Sequence, residues 1–363
     1  MSDTSLEKLH EIDAILAKLA DGNDLTTAQA ENLFTNVFVN DKEGFFFATA
    51  VAAIHAKGET VDELMAFVRV YKNLAAKISI NKPVNEITDL SGTGGGTFKT
   101  INVSTAASFV VAAVGYTVGK ASNFSVMSPT GSADIFATFG IDIRKLTKEQ
   151  IEKSLNSIGI SPFFIIYFSP RLENRAKLTL KIYRENELRV RTPFHLITNI
   201  ASPFQIKHRI YGSYSPKYLE VLSRMFLKLG YEKTLTFYAD IGMPEISNVG
   251  KTTIVEQNGN KIKKYTVKPS DLGVEEAKEE EIKTGGKEQN IADFVNILKG
   301  KDKGAKADLV AINAGAALYA LNDVKTLKEG TKKAQKILSE GVGYKKLKDL
   351  VTKMGSIKLL NSF

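Results

Sequence analysis

The chain has no cysteine and only four histidines in 363 residues. Without Cys, disulfides, thiolate nucleophiles and Cys-ligated zinc or iron–sulfur centres are excluded. His10, His55, His195 and His208 are too scattered for any two to stand at metal-ligand spacing. No run approaches the roughly 18 apolar residues that a membrane helix requires. The first residues carry Asp3, Glu7 and Glu11 instead of the basic start and apolar stretch of a signal peptide. A soluble cytoplasmic protein with no membrane partner is expected. With 43% apolar and 25% charged residues, the chain is neither collagen-like nor wholly disordered. Its length suits two domains or one large one.

Charge is unevenly spread. The total is 49 − 40 = +9. Between Arg171 and Arg224 eleven basic residues face four acidic ones, and from Thr331 to Phe363 eight Lys face two. The remainder is net acidic. Seven of the nine Arg fall in the first of these segments. Arg favours planar, bidentate contact with carboxylate or phosphate, so an anionic ligand or a nucleic acid suits that stretch. A solvated basic face followed by a Lys-rich last helix is the plainer alternative.

Hydrophobic spacing predicts helices over Leu6–Leu19, Thr26–Phe38, Asp41–Lys57 and Thr60–Ala76. Thr60 with Glu63 begins a capping box, and Gln29 follows Thr26 by three. Pro83 closes this block. Beyond it, strands are predicted at Ile87–Leu90, Tyr116–Gly119, Phe163–Phe168 and Thr234–Ala239. Helices are predicted at Val103–Val114, Gly131–Phe139, Thr147–Ser157, Arg171–Tyr183, Asp308–Leu321 and Leu327–Ser339. A Gln-Asn-Gly-Asn turn inside Ile254–Val267 signals a hairpin. Strands alternating with helices indicate an α/β sheet with parallel elements.

The segment Leu90-Ser91-Gly92-Thr93-Gly94-Gly95-Gly96-Thr97 follows a strand and precedes Asn102-Val103-Ser104-Thr105, which opens a helix. Glycines let a backbone approach a ligand closely and adopt positive φ. Amides at such a turn and helix start attract an anion, and hydroxyls at Ser104 and Thr105 add donors. A phosphate or diphosphate is the ligand this pattern suits; a tight turn followed by ordinary N-cap residues is the alternative. It is neither a Walker A loop nor the dinucleotide G-x-G-x-x-G pattern.

The run from Ser91 to Ile143 resembles the anthranilate phosphoribosyltransferase family. That family shows a GTGGD loop, then N-[VI]-S-T-A, a KHGNR-type loop and a G-S-[AS]-D helix start. Further matches are Arg189-Val190-Arg191-Thr192, Pro244-Glu245-Ile246-Ser247 and Asn313-Ala314-Gly315-Ala316-Ala317-Leu318-Tyr319. They occur in family order over nearly the whole chain. The resemblance implies a small helical N-terminal domain, residues 1–82 joined by part of 170–200. It also implies a larger α/β domain, 83–363, with a mostly parallel central sheet of the nucleoside phosphorylase/phosphoribosyltransferase type.

It further implies a homodimer through the helical domain, and Mg²⁺-dependent transfer of phosphoribose from phosphoribosyl pyrophosphate to anthranilate in tryptophan synthesis. The phosphoribosyl pyrophosphate contacts it implies are Gly92, Thr93, Gly94, Gly95, Thr100, Asn102, Val103, Ser104, Thr105, Lys120 and Ser132. Anthranilate contacts fall on Gly92, Asn123 and Arg191, and magnesium ligands on Ser104 and Glu245.

The chain departs from the pattern in several places. Gly96 replaces the Asp of GTGGD, and Ala121, Ser122 and Phe124 replace the His, Gly and Arg of KHGNR. Pro129 stands where Lys is common, Glu173 where a His-Pro pair starts, and Pro244 replaces the first Asp of an acidic pair. Asp240 is a nearby second carboxylate. These changes leave two other readings: a nucleic-acid-binding protein that has lost catalysis, or a phosphoribosyltransferase with another amine or aromatic acceptor. From the residues alone, Arg191 could equally pair with Glu187, Asn123 could cap its own loop, and Glu245 could be a solvated carboxylate.

Overall fold

The computed structural model describes residues 3–41, 44–124, 130–164 and 191–363. The chain divides into two compact units, Met1–Lys77 with Ile165–Pro203, and Ile78–Phe164 with Phe204–Phe363.

The first unit is helical. It holds α1 (Asp3–Ala20), α2 (Thr27–Val39), α3 (Phe45–Lys57), α4 (Val61–Leu74) and a single turn, Pro193–Ile197. Thr26 and Thr60 start α2 and α4 with complete capping boxes to Gln29 and Glu63. Such a cap stabilises a helix by about 1 kcal/mol. Helix α3 begins at Phe45 and not at Asp41. The Asp41 carboxylate accepts from the Gly44 and Phe47 amides at 2.8 Å, and Gly44 turns to φ +87° just before the helix. The core is aromatic: Phe34, Phe38, Phe67 and Tyr71 pack edge-on or stacked, and Phe194 meets Phe47 and Phe67. Glu63, at the start of α4, is also buried. It is tolerated because it accepts from the Leu25 and Thr60 amides and pairs with Lys57 at 2.9 Å.

The second unit is α/β. Strands β1 (Ile87–Thr88), β2 (Thr117–Ala121) and β3 (Ile160–Phe163) form a parallel sheet in that order. The third strand begins at Ile160, ahead of the predicted Phe163–Phe168, of which residues 165–168 lie outside the described residues. It contains Pro162, which a strand at the edge of a sheet accepts because no amide is required there. Helices α5 (Val103–Val114), α6 (Ser132–Thr138) and α7 (Lys148–Ser157) connect these strands. A second sheet runs β4 (His208–Gly212), β5 (Lys233–Ala239), β6 (Thr252–Asn258) and β7 (Lys261–Val267). Strands β4 and β5 are parallel through α8 (Leu219–Lys228), and β5–β6–β7 is antiparallel. Three of the five pairings among the described residues are therefore parallel.

Helices α9 (Lys287–Leu298), α10 (Ala305–Ala320), α11 (Leu327–Ser339) and α12 (Val342–Met354) complete the unit. Helix α5 is apolar nearly all round and is accordingly buried, packed by α10 and α12. Its burial fixes the start of α5, where the glycine-rich turn arrives. The predicted helix Arg171–Tyr183 falls outside the described residues. No helix among the described residues is long and apolar enough to cross a membrane.

Candidate active site

The turn after β1 is anchored at both ends. At its base the Asp89 carboxylate accepts from the Ser91 amide at 2.8 Å and the Ser91 hydroxyl at 2.6 Å. It also pairs with Arg209 of β4 at 3.2 Å, both side chains being fully buried. Arg209 reaches on to the Ser91 carbonyl at 3.1 Å. Gly92 then lies flat on the end of β4: a Cβ there would sit 2.6 Å from the Gly212 carbonyl oxygen, and the Thr93 amide donates to that oxygen at 2.9 Å. Gly94 and Gly95 adopt φ +62° and +76°, which L side chains rarely reach. At the far end the Thr97 amide donates to the Gly242 carbonyl at 2.9 Å, and the Thr100 hydroxyl to the Ile282 carbonyl at 2.5 Å. The chain then enters α5 at Asn102, which makes no side-chain cap. In the first turn the Val103 amide donates to the Ile101 carbonyl at 2.8 Å and the Thr105 amide to the Asn102 carbonyl at 3.1 Å, with Ser104 between them.

Strand β2 delivers Lys120 beneath this turn. Its ammonium donates to Ser91 Oγ at 2.9 Å and Ser104 Oγ at 3.2 Å. Burial pushes Lys120 down to about 8, against the pull of Asp89 and with the push of Arg209. Glu245 retains some exposure yet is enclosed enough that burial pushes its carboxyl up to about 7, opposed by Lys120 and Lys99. Lys99 donates to the Gly96 carbonyl at 2.6 Å. The turn, the α5 start, Lys120, Lys99 and Glu245 thus form one electrostatic group.

Past β2, the Asn123 amide donates to Ser132 Oγ at 3.2 Å and the Asn123 carbonyl accepts from Ala133. Asn102 reaches the Thr130 carbonyl at 3.3 Å. Phe124 packs against Phe164 and under the Arg144 guanidinium, 4.9 Å from its ring centre. Arg191 belongs to the helical unit, next to Thr192, and its charge acts on His195. Asp240 is exposed at the end of β5 and is not among the groups acting on Lys120 or Glu245. Pro129, Glu173 and Glu187 lie outside the described residues.

Two family profiles match the chain: "Glycosyl transferase family, a/b domain" over residues 84–344 and "Glycosyl transferase family, helical bundle domain" over 13–75. The anthranilate phosphoribosyltransferase of Petrotoga mobilis is 34% identical over 93% of this chain and 95% of its own. That of Haloarcula marismortui is 33% identical over 93% and 98%. The chain belongs to the anthranilate phosphoribosyltransferase family. The crystal structure of the Thermus thermophilus anthranilate phosphoribosyltransferase superposes with a TM-score of 0.84 at 29% identity, covering 94% of this chain and 99% of that one. The Saccharomyces cerevisiae anthranilate phosphoribosyltransferase in complex with PRPP and Mg shares the fold at a TM-score of 0.81 and 19% identity, over 97% and 98% of the two chains.

Three further residues hold this family site together; of these, Asn313 stands in a matched motif, while Asp89 and Arg209 carried no signal of the site. Asp89 and Arg209 are the buried pair under the turn. Asn313 of α10 accepts from the Ile246 amide at 3.0 Å and donates to the Ile246 carbonyl at 2.8 Å, which fixes the segment bearing Glu245. Among the described residues no three His, Cys, Asp or Glu cluster so as to hold a metal ion by themselves. The Glu245 carboxylate and Ser104 hydroxyl are hard oxygen donors in one electrostatic group. They fit Mg²⁺ only when substrate phosphates complete the shell, which is the usual mode for that ion.

Proposed function

We propose that the protein transfers the phosphoribosyl group of phosphoribosyl pyrophosphate to the amine of anthranilate, a step of tryptophan synthesis. The observation that carries this reading is the start of α5, without a side-chain cap, facing the Gly94–Gly95 turn over a buried ammonium, Lys120. Such a cradle suits a diphosphate. As the ribose C1–O bond opens, negative charge grows on the departing diphosphate. Preorganised amides aimed there stabilise the charge more in the transition state than in the ground state. Lys120 holds the Ser91 and Ser104 hydroxyls in place and adds positive potential beneath them. Bound Mg²⁺, held by Ser104, Glu245 and the substrate phosphates, would supply Lewis-acid stabilisation to the leaving group.

Gly92, Thr93, Thr100, Asn102, Val103, Thr105 and Ser132 complete the assignment to the sugar diphosphate. Arg191 and Asn123 are assigned to anthranilate, because a guanidinium binds carboxylate bidentately. An aromatic amine needs positioning more than a strong base. A homodimer through the helical unit and a cytoplasmic location belong to the same reading. In that unit Phe45, at the start of α3, is 75% exposed and available to a partner face. No observation favours the nucleic-acid alternative: Arg209, one of the clustered arginines, is spent on a buried ion pair.

The test follows anthranilate fluorescence in the presence of phosphoribosyl pyrophosphate and Mg²⁺. Turnover requiring both substrates supports the reading. Arg191→Ala then raises the KM for anthranilate roughly tenfold, the worth of a charge-assisted contact, and leaves that for the sugar diphosphate unchanged. Absence of turnover at every Mg²⁺ concentration overturns it.

A further inference from the structure

Ser91 opens the glycine-rich turn and lies outside the residues assigned to either substrate. It is buried. Its amide donates to the Asp89 carboxylate at 2.8 Å and its carbonyl accepts from Arg209 at 3.1 Å, so its main chain is pinned without help from the side chain. The hydroxyl serves another neighbour. It lies 2.6 Å from Asp89 Oδ1 and 2.8 Å from the Ala121 carbonyl oxygen, and it has a single proton to give. Whichever oxygen takes that proton, a lone pair is left for the Lys120 ammonium at 2.9 Å. An ammonium carries three N–H donors, which turn together about the Cε–Nζ bond. Lys120 directs one at Ser91 and another at Ser104, 3.2 Å away. Two anchors stop the rotation, so the remaining N–H has one direction. No acceptor among the described residues takes it. Ser104 belongs to the first turn of α5, where the diphosphate reading sets the ligand, so its hydroxyl is shared between Lys120 and that ligand. Ser91 is the anchor that stays.

We propose that Ser91 is a positioning residue for phosphoribosyl pyrophosphate: its hydroxyl, held by Asp89, aims the remaining N–H of Lys120 at a phosphoryl oxygen of the bound ligand. This rests on the diphosphate reading of the turn. Ser91 acts only through Lys120. Its role is separable from support of the turn, because both main-chain anchors of Ser91 survive loss of the hydroxyl.

Calorimetry at saturating Mg²⁺ measures binding of phosphoribosyl pyrophosphate to the unaltered protein, Ser91→Ala, Lys120→Met and the double variant. Steady-state kinetics gives the KM for each substrate. Ser91→Ala binds the sugar diphosphate about tenfold more weakly, the worth of one hydrogen bond to a charged group, while its KM for anthranilate stays within about twofold. Lys120→Met loses at least as much. With the lysine gone the serine has nothing to aim, so the double variant binds as Lys120→Met does, within about threefold. A Ser91→Ala protein within about twofold of the unaltered one overturns the proposal. So does a double variant that loses about a further tenfold, or an anthranilate KM that rises as much as the other, because either result describes a serine that only supports the fold. Should Lys120→Met fail to fold, the split between the two KM values in Ser91→Ala decides alone. An unaltered protein that does not bind phosphoribosyl pyrophosphate overturns the diphosphate reading itself; binding with uncoupled variants overturns this proposal and leaves that reading intact.

Discussion

Gly96→Ala is the smallest perturbation that probes how the turn is seated. Gly96 does not adopt positive φ, so alanine meets no backbone penalty and its effect is purely one of space. The added carbon would lie 2.5 Å from Pro244 Cδ, 2.7 Å from Gly242 O and 3.4 Å from Met243 Cα. Ordinary contact needs nearly an ångström more against the first two. Neither side yields easily. The Gly242 carbonyl accepts the Thr97 amide, and Asn313 clamps Ile246 two residues past Pro244. Overpacking of this kind costs about 1–3 kcal/mol, and the tethering argues for the upper half. Pro244→Ala removes the Cδ contact and leaves the Gly242 one, so the double variant should recover about 1 kcal/mol of coupling, as touching residues do. Urea unfolding of the four proteins measures this. A Gly96→Ala protein that loses less than about 0.5 kcal/mol, or a cycle that closes additively within that margin, refutes the packing argument.

Asp89→Asn strands Arg209 in the interior without its counter-charge and should destabilise the protein by about 3–5 kcal/mol in urea unfolding; a loss under about 1 kcal/mol would show that the pair is not what holds the turn's base. His195 gives a pH signature. Burial, reinforced by Arg191, holds it down to about 4 from an ordinary 6.5, while its ring accepts the Thr192 amide at 3.2 Å. Unfolded chains therefore take up a proton between pH 6.5 and 4 that the folded state refuses. The stability tied to neutral His195 is fully present above 6.5 and is lost by about pH 4. The loss approaches the order of 3 kcal/mol. His195→Gln, which still offers an acceptor, should flatten that part of the pH–stability curve; identical curves for the two proteins would count against it.

The elements legible beforehand were those with strong local signals. Helix α5 was predicted with the bounds it has, because an apolar run bounded by Asn102 and Gly115 is unambiguous. The starts of α2, α4 and α7 were marked by their Thr caps. Strand β4 was not foreseen. Its sequence His208-Arg209-Ile210-Tyr211-Gly212 places a charge second in a five-residue strand, and distant partners, Asp89 foremost, make that burial tolerable. Helices α8 and α9 were missed as well, and α12 was foreseen only as a Lys-rich last helix without bounds. For α3 the helical spacing ran back to Asp41, where a long-range view of the carboxylate was needed to see a cap and not a first turn. The glycine-rich turn was visible as a pattern, but the reason for Gly96 was not. It depends on Pro244, nearly 150 residues away, pressing on the same point. The chemistry was thus readable where it is local, and hidden where two distant segments share one space or one charge.

Amide hydrogen exchange across residues 92–105, with and without phosphoribosyl pyrophosphate and Mg²⁺, tests most directly whether main-chain donors hold the ligand. The account predicts slowed exchange at Gly94, Gly95 and Ser104 when the sugar diphosphate is bound. Saturating ligand that leaves those amides exchanging at their free rates, while slowing others elsewhere, would contradict it.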